Sequence, residues 1–127
     1  MKEIIVAVVQ CNNKILLLKR TMTKHFDPGK WEFVSGFVNT IKDLPSFAKE
    51  RIFYETGLET AFVKKGKDFK VYDSYGEWLI HPFLFSSKSE DVKLREDHKT
   101  YKWIETSDLS KFDTVHELEK NLIALNL

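Results

Sequence analysis

Charged side chains in the middle of the chain lie where one helix would present them together. Glu50, Arg51 and Glu55 fall in a segment with helical spacing between residues 44 and 56. Arg51 and Glu55 are four residues apart, so on a helix they lie one turn apart, in a geometry suited to ion pairing. Glu50 is displaced by about 100° around the helix axis from Arg51. The spacing therefore predicts an Arg51–Glu55 ion pair, with Glu50 in a neighbouring sector.

Residues outside this segment carry side chains suited to a phosphate or a nucleobase. Arg20 could bind a phosphate, because a guanidinium donates two parallel hydrogen bonds to that anion, although a solvated strand end is the alternative. Trp31, Phe33 and Phe37 could stack on a base, or could simply fill the core. Lys42, like Lys24, could supply positive charge to a diphosphate without a metal ion. A solvated lysine is the alternative.

One helix must carry the charged segment. Asp43 can cap its start, Pro45 is tolerated in the first turn, and Gly57 supplies the usual stop. The pattern thus predicts a helix over 44–56. Its inner stripe is apolar and consists of Leu44, Phe47, Ala48 and Ile52.

Strands account for most of the remaining chain. Short β-branched and apolar runs predict strands at 4–10, 14–19, 31–34, 58–63, 69–74, 78–85 and 101–104. Asn12 and Asn13 indicate a hairpin turn between the first two strands. Residues 86–100 are polar and predict a long loop. Thr114 and Glu117 have the spacing of a capping box, which predicts a last helix with Leu118, Leu122 and Leu125 facing inward.

Composition sets the broad class of the protein. The 127 residues are 43% hydrophobic and 31% charged, which fits one α/β domain over 1–127. A formal charge of +1 gives no global field for nucleic acid or an anionic membrane, so we expect neither as a partner. Cys11 is the only cysteine, which excludes an internal disulfide. No apolar run approaches the length of a membrane span and no leader is recognisable, so we expect a cytoplasmic protein.

Ten side chains are predicted to form the core of this domain. They are Ile5, Val6, Val8, Leu16, Leu18, Phe33, Ala48, Ile52, Phe83 and Trp103.

The order of elements and the segment from Gly36 to Gly57 resemble the Nudix superfamily. The two glycines are 21 positions apart, as in the Nudix box, and Ile52 and Leu58 stand at its hydrophobic places. The flanking runs ILLLKR, PGKWEF and DHKTYKW also look like those of the family. The resemblance implies an α/β/α sandwich with a mixed sheet. It also implies hydrolysis of nucleoside diphosphates linked to another moiety, with Mg²⁺ or Mn²⁺ as cofactor.

The box departs from the family pattern at its acidic positions. Lys42 stands in place of the first glutamate, the family's Arg-Glu is inverted to Glu50-Arg51, and its Glu-Glu is Tyr54-Glu55. The three places matching 51, 54 and 55 are all glutamate in the family and carry a charge of −3. Here they are Arg51, Tyr54 and Glu55, whose charges sum to zero. At about 4 Å and an effective dielectric constant near 20, each unit charge is worth about 4 kcal/mol, so a divalent ion is strongly penalised.

The resemblance implies that Glu55 is the surviving metal ligand and catalytic carboxylate. Glu50 stands where the family has arginine, so it is a candidate ligand only as a nearby carboxylate that could substitute. Asp97 and His98 fall where many family members carry Glu-His, so Asp97 or Glu96 could assist as base or ligand. Solvated loop charges are the alternative for both carboxylates.

Three functions remain open on these residues. The first is binding of a nucleotide or another diphosphate-containing small molecule, with weak or absent Mg²⁺-dependent hydrolysis. The second is an active metal-dependent hydrolase that uses Glu55 and a loop carboxylate such as Asp97. The third is a protein-interaction domain without catalysis. The replacements at Lys42, Arg51 and Tyr54 favour the first, and the sequence does not indicate an oligomeric state.

Overall fold

A computed structural model describes residues 2–40 and 43–127. The strands are β1 (Lys2–Cys11), β2 (Lys14–Arg20), β3 (Trp31–Glu32), β4 (Val34–Phe37), β5 (Thr60–Lys65), β6 (Phe69–Asp73), β7 (Gly76–Ser87) and β8 (His98–Ile104). The helices are α1 (Leu44–Thr56), a 3₁₀ helix (Thr106–Lys111) and α2 (Glu119–Ala124).

All eight strands join one mixed sheet, which confirms the predicted sheet type. β1 pairs with β7 in parallel along nine residue pairs, from Lys2 opposite Trp78 to Gln10 opposite Ser86. The other pairings are antiparallel, namely β1 with β2 and β4, β2 with β3 and β8, and β7 with β5 and β6. β1 therefore lies at the centre, and side chains that alternate along it reach both faces of the sheet.

Two hydrophobic clusters cover the two faces, as an α/β/α sandwich requires. On one face Ile5, Ala7 and Val9 pack with Ala48 and Ile52 of α1. On the other, Val6 and Val8 belong to a cluster that includes Leu118, Leu122 and Leu125 at the C-terminal helix. Nine of the ten predicted core residues are buried, and Trp103 is the exception because it is only partly buried against the α1 cluster.

The hairpin between β1 and β2 forms as predicted. Asn12 and Asn13 have φ values of 50° and 63°, so both occupy the left-handed region that a two-residue hairpin turn needs. Asparagine tolerates that region better than most residues, which explains why the turn falls here.

Helix α1 has the bounds expected from the sequence. The Asp43 side chain accepts a hydrogen bond from the Ser46 backbone N–H at 3.1 Å, and the Gly57 N–H donates to Phe53 O at 2.8 Å. Gly57 has a φ of 74°, a conformation that glycine adopts without strain. Ala48 and Ile52 are fully buried, so the prediction of the inner helix face is confirmed.

The predicted capping box at the last helix is wrong. Glu117 has a φ of 57°, outside helical geometry, and α2 begins at Glu119. Thr114 instead forms a parallel bridge with Trp31, and Val115 N donates to Trp31 O at 3.0 Å. This pairing directs the chain past β3, and the left-handed conformation of Glu117 then interrupts the first turn that a helix capped at Thr114 would need. The inward-facing leucines are nonetheless buried.

Several strand boundaries also differ from the predictions. The run 31–34 is two strands, and the second continues through Ser35 and Gly36 to Phe37 because it pairs with β1. β5 starts at Thr60 and not at Leu58. Leu58 precedes the strand and is buried in the core. β7 and β8 each extend into the predicted loop, which shortens it to residues 88–97.

No helix in the described ranges is both long and apolar enough to cross a membrane.

Candidate functional site

A buried histidine joins two carboxylates beside α1. His98 Nε2 lies 2.8 Å from Glu32 Oε2, and His98 Nδ1 lies 3.0 Å from Glu55 Oε2. The second contact is ionic, because its atoms lie outside hydrogen-bonding geometry. All three side chains are at most 10% exposed. Side chains from β3, β8 and α1 therefore meet in a part of the interior with little access to water.

Two arginines close the ends of this chain of contacts. Arg20 Nη1 donates to both oxygens of Glu32 at 2.9 Å, and Arg20 Nε donates to Phe26 O at 3.0 Å. Arg51 Nη2 donates to Glu55 Oε1, which confirms the ion pair predicted from the spacing. We call Arg20, Glu32, His98, Glu55 and Arg51 the buried ionic chain. Positive and negative groups alternate along it.

A bulge places His98 inside. In the β2–β8 ladder Lys19 is opposite Thr100, but Arg20 is opposite His98, so Lys99 is an extra residue on β8. Such an insertion redirects the neighbouring side chains. Lys99 and Thr100 are exposed, whereas His98 is 8% exposed and faces the same side as Arg20.

The contacts fix the charge of His98. Burial disfavours the imidazolium, but the hydrogen bond to Glu32 and the negative charges of Glu32 and Glu55 outweigh it and raise the pKa of His98 to about 9. His98 is therefore a cation at neutral pH. With His98 charged, the buried ionic chain holds three cationic and two anionic side chains.

Tyr54 is an exposed residue of α1 at a position of the box that the resemblance assigns to glutamate. The Arg51 guanidinium carbon lies 5.0 Å from the ring centroid of Tyr54, and that of Arg95 lies 4.0 Å from it. Arg95 Nε also donates to Tyr54 O at 2.9 Å. Two guanidinium groups thus lie against this aromatic ring, a favourable cation–π arrangement.

A cavity of about 700 Å³ lies on the α2 face of the sheet. This size is typical of a small-molecule site. Its apolar wall includes Ile4, Val6, Phe69, Val71, Trp78, Ile80 and Leu118. The rings of Phe26 and Tyr75 meet edge to face at its border, with centroids 4.5 Å apart. Arg20 belongs to the buried ionic chain and also lines this cavity.

Some of the site residues named from the sequence line this cavity. They are Arg20, Lys24, Phe37, Glu96 and Asp97. Phe37 is 62% exposed and lies 5.9 Å from the ring of Trp78, which suits a contact with a planar ligand. Asp97 Oδ1 lies 3.5 Å from Lys24 Nζ. The role of these residues remains a prediction.

Other named residues are placed elsewhere. Phe33 is 1% exposed in the core, and Trp31 packs edge to face on Phe112 at 5.3 Å, so neither lines the cavity. Arg51 is held by Glu55 and by Ser35 O at 3.3 Å. Glu50 is exposed and borders a shallow surface depression apart from Glu55. Lys42 lies outside the described residues.

Residues that the sequence did not single out complete the two sites. The sequence shows Glu32 only within PGKWEF and His98 only as the neighbour of the candidate Asp97, and it carries no signal that these two side chains meet across 66 positions of the chain. Trp78 and Asn121 line the cavity from distant segments. Only the pairing of β2 with both β3 and β8 brings Glu32 close to His98.

Sequence and structure comparisons agree on the class of this fold. Residues 1–125 match the model of the NUDIX domain, and the chain belongs to that family. No curated protein sequence matches it at a significant level.

Three solved structures illustrate the likeness. The MutT protein from Methanosarcina mazei Go1 has a TM-score of 0.78 at 20% identity, over 94% of this chain and 88% of that one. An Ap4A hydrolase of C. elegans, solved as a binary complex, has a TM-score of 0.79 at 17% identity, over 99% of this chain and 96% of that one. The NUDIX domain of Shewanella oneidensis NrtR, complexed with ADP ribose, has a TM-score of 0.77 at 13% identity, over 98% of this chain and 85% of that one. At such identities the likeness concerns the fold.

Proposed function

We propose that this NUDIX domain binds a nucleotide-type small molecule and has little or no Mg²⁺-dependent hydrolytic activity. One observation carries the proposal. Both carboxylate oxygens of Glu55, the acidic box residue that matches the family, are occupied by cationic partners of the protein itself, Arg51 and His98.

The donor set around Glu55 does not fit a magnesium or manganese ion. Mg²⁺ requires near-octahedral oxygen ligands and keeps several waters. The Glu55 side chain is only 4% exposed, and among residues 2–40 and 43–127 no three His, Cys, Asp or Glu side chains form a group that could hold a metal. Glu32, His98 and Glu55 form a chain of pairwise contacts instead of converging on a point.

Charge adds to this misfit. The buried ionic chain is net positive with His98 protonated, so a divalent cation near Glu55 would meet the charges of Arg51 and His98. At about 4 Å and an effective dielectric constant near 20, two unit charges interact by about 4 kcal/mol, so each such charge opposes a divalent ion by about 8 kcal/mol. A hydrolase that relied on Glu55 would first have to break both ion pairs.

The cavity supports ligand binding. It has the volume of a small-molecule site and several aromatic side chains in its wall, among them Phe37, Tyr75 and Trp78. The ADP-ribose complex of the NrtR domain and the Ap4A hydrolase supply the class of ligand to test first.

An active hydrolase is the second candidate. Its support is the position of Glu96 and Asp97, which both line the cavity and could serve as a base or a ligand. Asp97 is 47% exposed in its side chain, so its pairing with Lys24 is open to solvent and easily broken.

The decisive experiment compares turnover in three proteins. The unmodified chain, a Glu55→Gln variant and a Lys42→Glu/Arg51→Glu/Tyr54→Glu variant are offered nucleoside di- and triphosphates, dinucleoside polyphosphates and nucleotide sugars with Mg²⁺ or Mn²⁺. We expect no robust turnover by the unmodified chain, and activity only where the box carboxylates are restored. Robust turnover by the unmodified chain that disappears in Glu55→Gln would overturn the proposal in favour of the hydrolase.

Binding is measured on the same panel by calorimetry without metal. Saturable binding to the unmodified chain supports the proposed function. If no member of the panel binds or is hydrolysed, the nucleotide proposal fails and the protein-interaction domain becomes the better hypothesis.

A further inference from the structure

Tyr54 brings two arginines together at the surface of the molecule. Its side chain is 46% exposed, and the guanidinium carbons of Arg51 and Arg95 lie 5.0 and 4.0 Å from its ring centroid. The two guanidinium carbons are therefore at most 9.0 Å apart, which is the sum of these two distances. Arg51 belongs to α1 and Arg95 to the loop 88–97, so a helix and a loop contribute one cation each.

Both guanidinium groups retain unpaired donors. Arg95 Nε donates to Tyr54 O at 2.9 Å, and its two Nη groups have no partner among the described residues. Arg51 Nε donates to Ser35 O and its Nη2 to Glu55, which leaves Nη1 without a partner in the same part of the chain. The Arg51 side chain is 28% exposed and Arg95 is exposed, so solvent reaches both groups. A guanidinium carries five N–H donors, so each arginine still offers some of them to a ligand.

The charge of this region is positive. The buried ionic chain, to which Arg51 belongs, carries one positive charge in excess because Glu55 is shared by Arg51 and the imidazolium of His98. Arg95 forms no ion pair with a described residue, so it adds a second positive charge. The Coulomb interaction that opposes a divalent cation here favours an anion.

A phosphate group suits the geometry of these donors. Guanidinium groups bind phosphate oxygens through charge-assisted hydrogen bonds, often two in parallel. A separation of at most 9.0 Å allows the two phosphates of a diphosphate to accept hydrogen bonds from both arginines. The Tyr54 ring holds the two cations beside each other, since both lie within the range of a cation–π contact.

We propose that Arg51, Tyr54 and Arg95 form a metal-independent site for a phosphate-type oxyanion, with the unpaired Nη groups as donors and the Tyr54 ring as their support. The site is separate from the cavity, because none of the three side chains lines it. It lies beside the cavity, since Glu96, the next residue after Arg95, does line it. Free pyrophosphate and the diphosphate of a nucleotide are two sources of the anion, and only the second rests on the proposed function.

The site is tested by calorimetry with inorganic pyrophosphate, at low ionic strength and with a chelator in place of metal. We expect saturable binding to the unmodified chain that weakens at least about ten-fold in Arg95→Gln, because the charge-assisted hydrogen bonds of one guanidinium are lost. Lys88→Gln removes an exposed positive charge from the same loop and is the matched control, which should bind as the unmodified chain does. Equal weakening in the two variants would overturn the inference.

The role of the Tyr54 ring is tested with two substitutions. Tyr54→Phe keeps the ring, so pyrophosphate should bind this variant as it binds the unmodified chain. Tyr54→Leu removes the support of the two guanidinium groups and should weaken binding several-fold. Denaturant titration of each variant confirms that the protein measured is folded. Equal binding by folded Tyr54→Leu and the unmodified chain would overturn the role of the ring as a positioning group.

Adenosine and ADP, also without metal, distinguish the two sources of the anion. We expect ADP to bind more tightly than either adenosine or pyrophosphate, and this advantage over adenosine to be lost in Arg95→Gln. ADP that binds more tightly than pyrophosphate but equally to the unmodified chain and Arg95→Gln would overturn the inference and leave the proposed function standing.

Two further outcomes concern the proposed function. If pyrophosphate binding depends on Arg95, while ADP binds no more tightly than pyrophosphate and adenosine does not bind, the oxyanion site stands and the nucleotide part of the proposed function fails. Binding of neither pyrophosphate nor ADP would overturn both.

Discussion

His98 should make the stability of this protein depend on pH in a window where few side chains titrate. Its pKa of about 9 in the folded protein lies above the ordinary value of 6.5, since the contacts with Glu32 and Glu55 favour the imidazolium. The folded state therefore binds the proton more tightly than the unfolded state does. This stabilisation is fully present below pH 6.5 and is lost as the pH rises towards 9.

The magnitude follows from the difference between the two pKa values. Each pKa unit corresponds to about 1.4 kcal/mol, so the loss between pH 6.5 and 9 amounts to about 3 kcal/mol. A domain of this size has a total stability of about 5–15 kcal/mol, so the loss is large enough to measure. The short contacts and low exposure of His98 limit screening by solvent.

Chemical denaturation at several pH values between 6 and 9.5 measures this effect. We expect the free energy of unfolding to fall steeply with pH in the unmodified chain and much less in His98→Gln, where the buried Cys11 thiol, whose pKa is raised by burial, still causes a decrease at the upper end of the window. His116→Gln, at an exposed histidine, should follow the unmodified chain. Parallel curves for the unmodified chain and His98→Gln would refute the argument that the two carboxylates hold His98 charged.

Three further predictions concern α1 and its surroundings. Glu55→Gln should lower the free energy of unfolding by about 3 kcal/mol in denaturant titrations, because Arg51 and His98 lose a buried partner, whereas exposed Glu50→Gln should change it by less than about 0.5 kcal/mol. An equal effect of the two variants would contradict the role of the ion pairs. Ile52→Ala should cost about 2–5 kcal/mol by the same measurement, because the side chain is fully buried, and a smaller cost would contradict tight packing of α1. Gly66→Ala should lower the melting temperature, because a Cβ there would lie 2.7 Å from Ala124 O, and an unchanged melting temperature would mean that the chain end moves freely.

The local parts of the site were predictable from short stretches of sequence. The i,i+4 spacing of Arg51 and Glu55 predicted their ion pair, and Asp43 with Gly57 predicted the bounds of α1, since caps and neighbouring turns depend only on nearby residues. The resemblance of the segment from Gly36 to Gly57 to the Nudix box implied the family, which the match over residues 1–125 confirms.

Contacts between distant segments were not predictable in this way. The bulge on β8 turns His98 towards Glu55, 43 positions earlier, and no local pattern indicates this. The apparent capping box from Thr114 to Glu117 yields to a bridge with Trp31, because pairing with a distant strand outweighs a local helix signal.

The sequence by itself determined the family, the mixed α/β class, the faces of α1 and the partner that Arg51 gives to Glu55. Only the tertiary structure decided that Glu55 has a second cationic partner, and that the cavity unites side chains from distant strands, loops and the last helix. The physical reason is that ion pairs and hydrogen bonds form between groups that are close in space. The packing of the chain decides which residues become such neighbours.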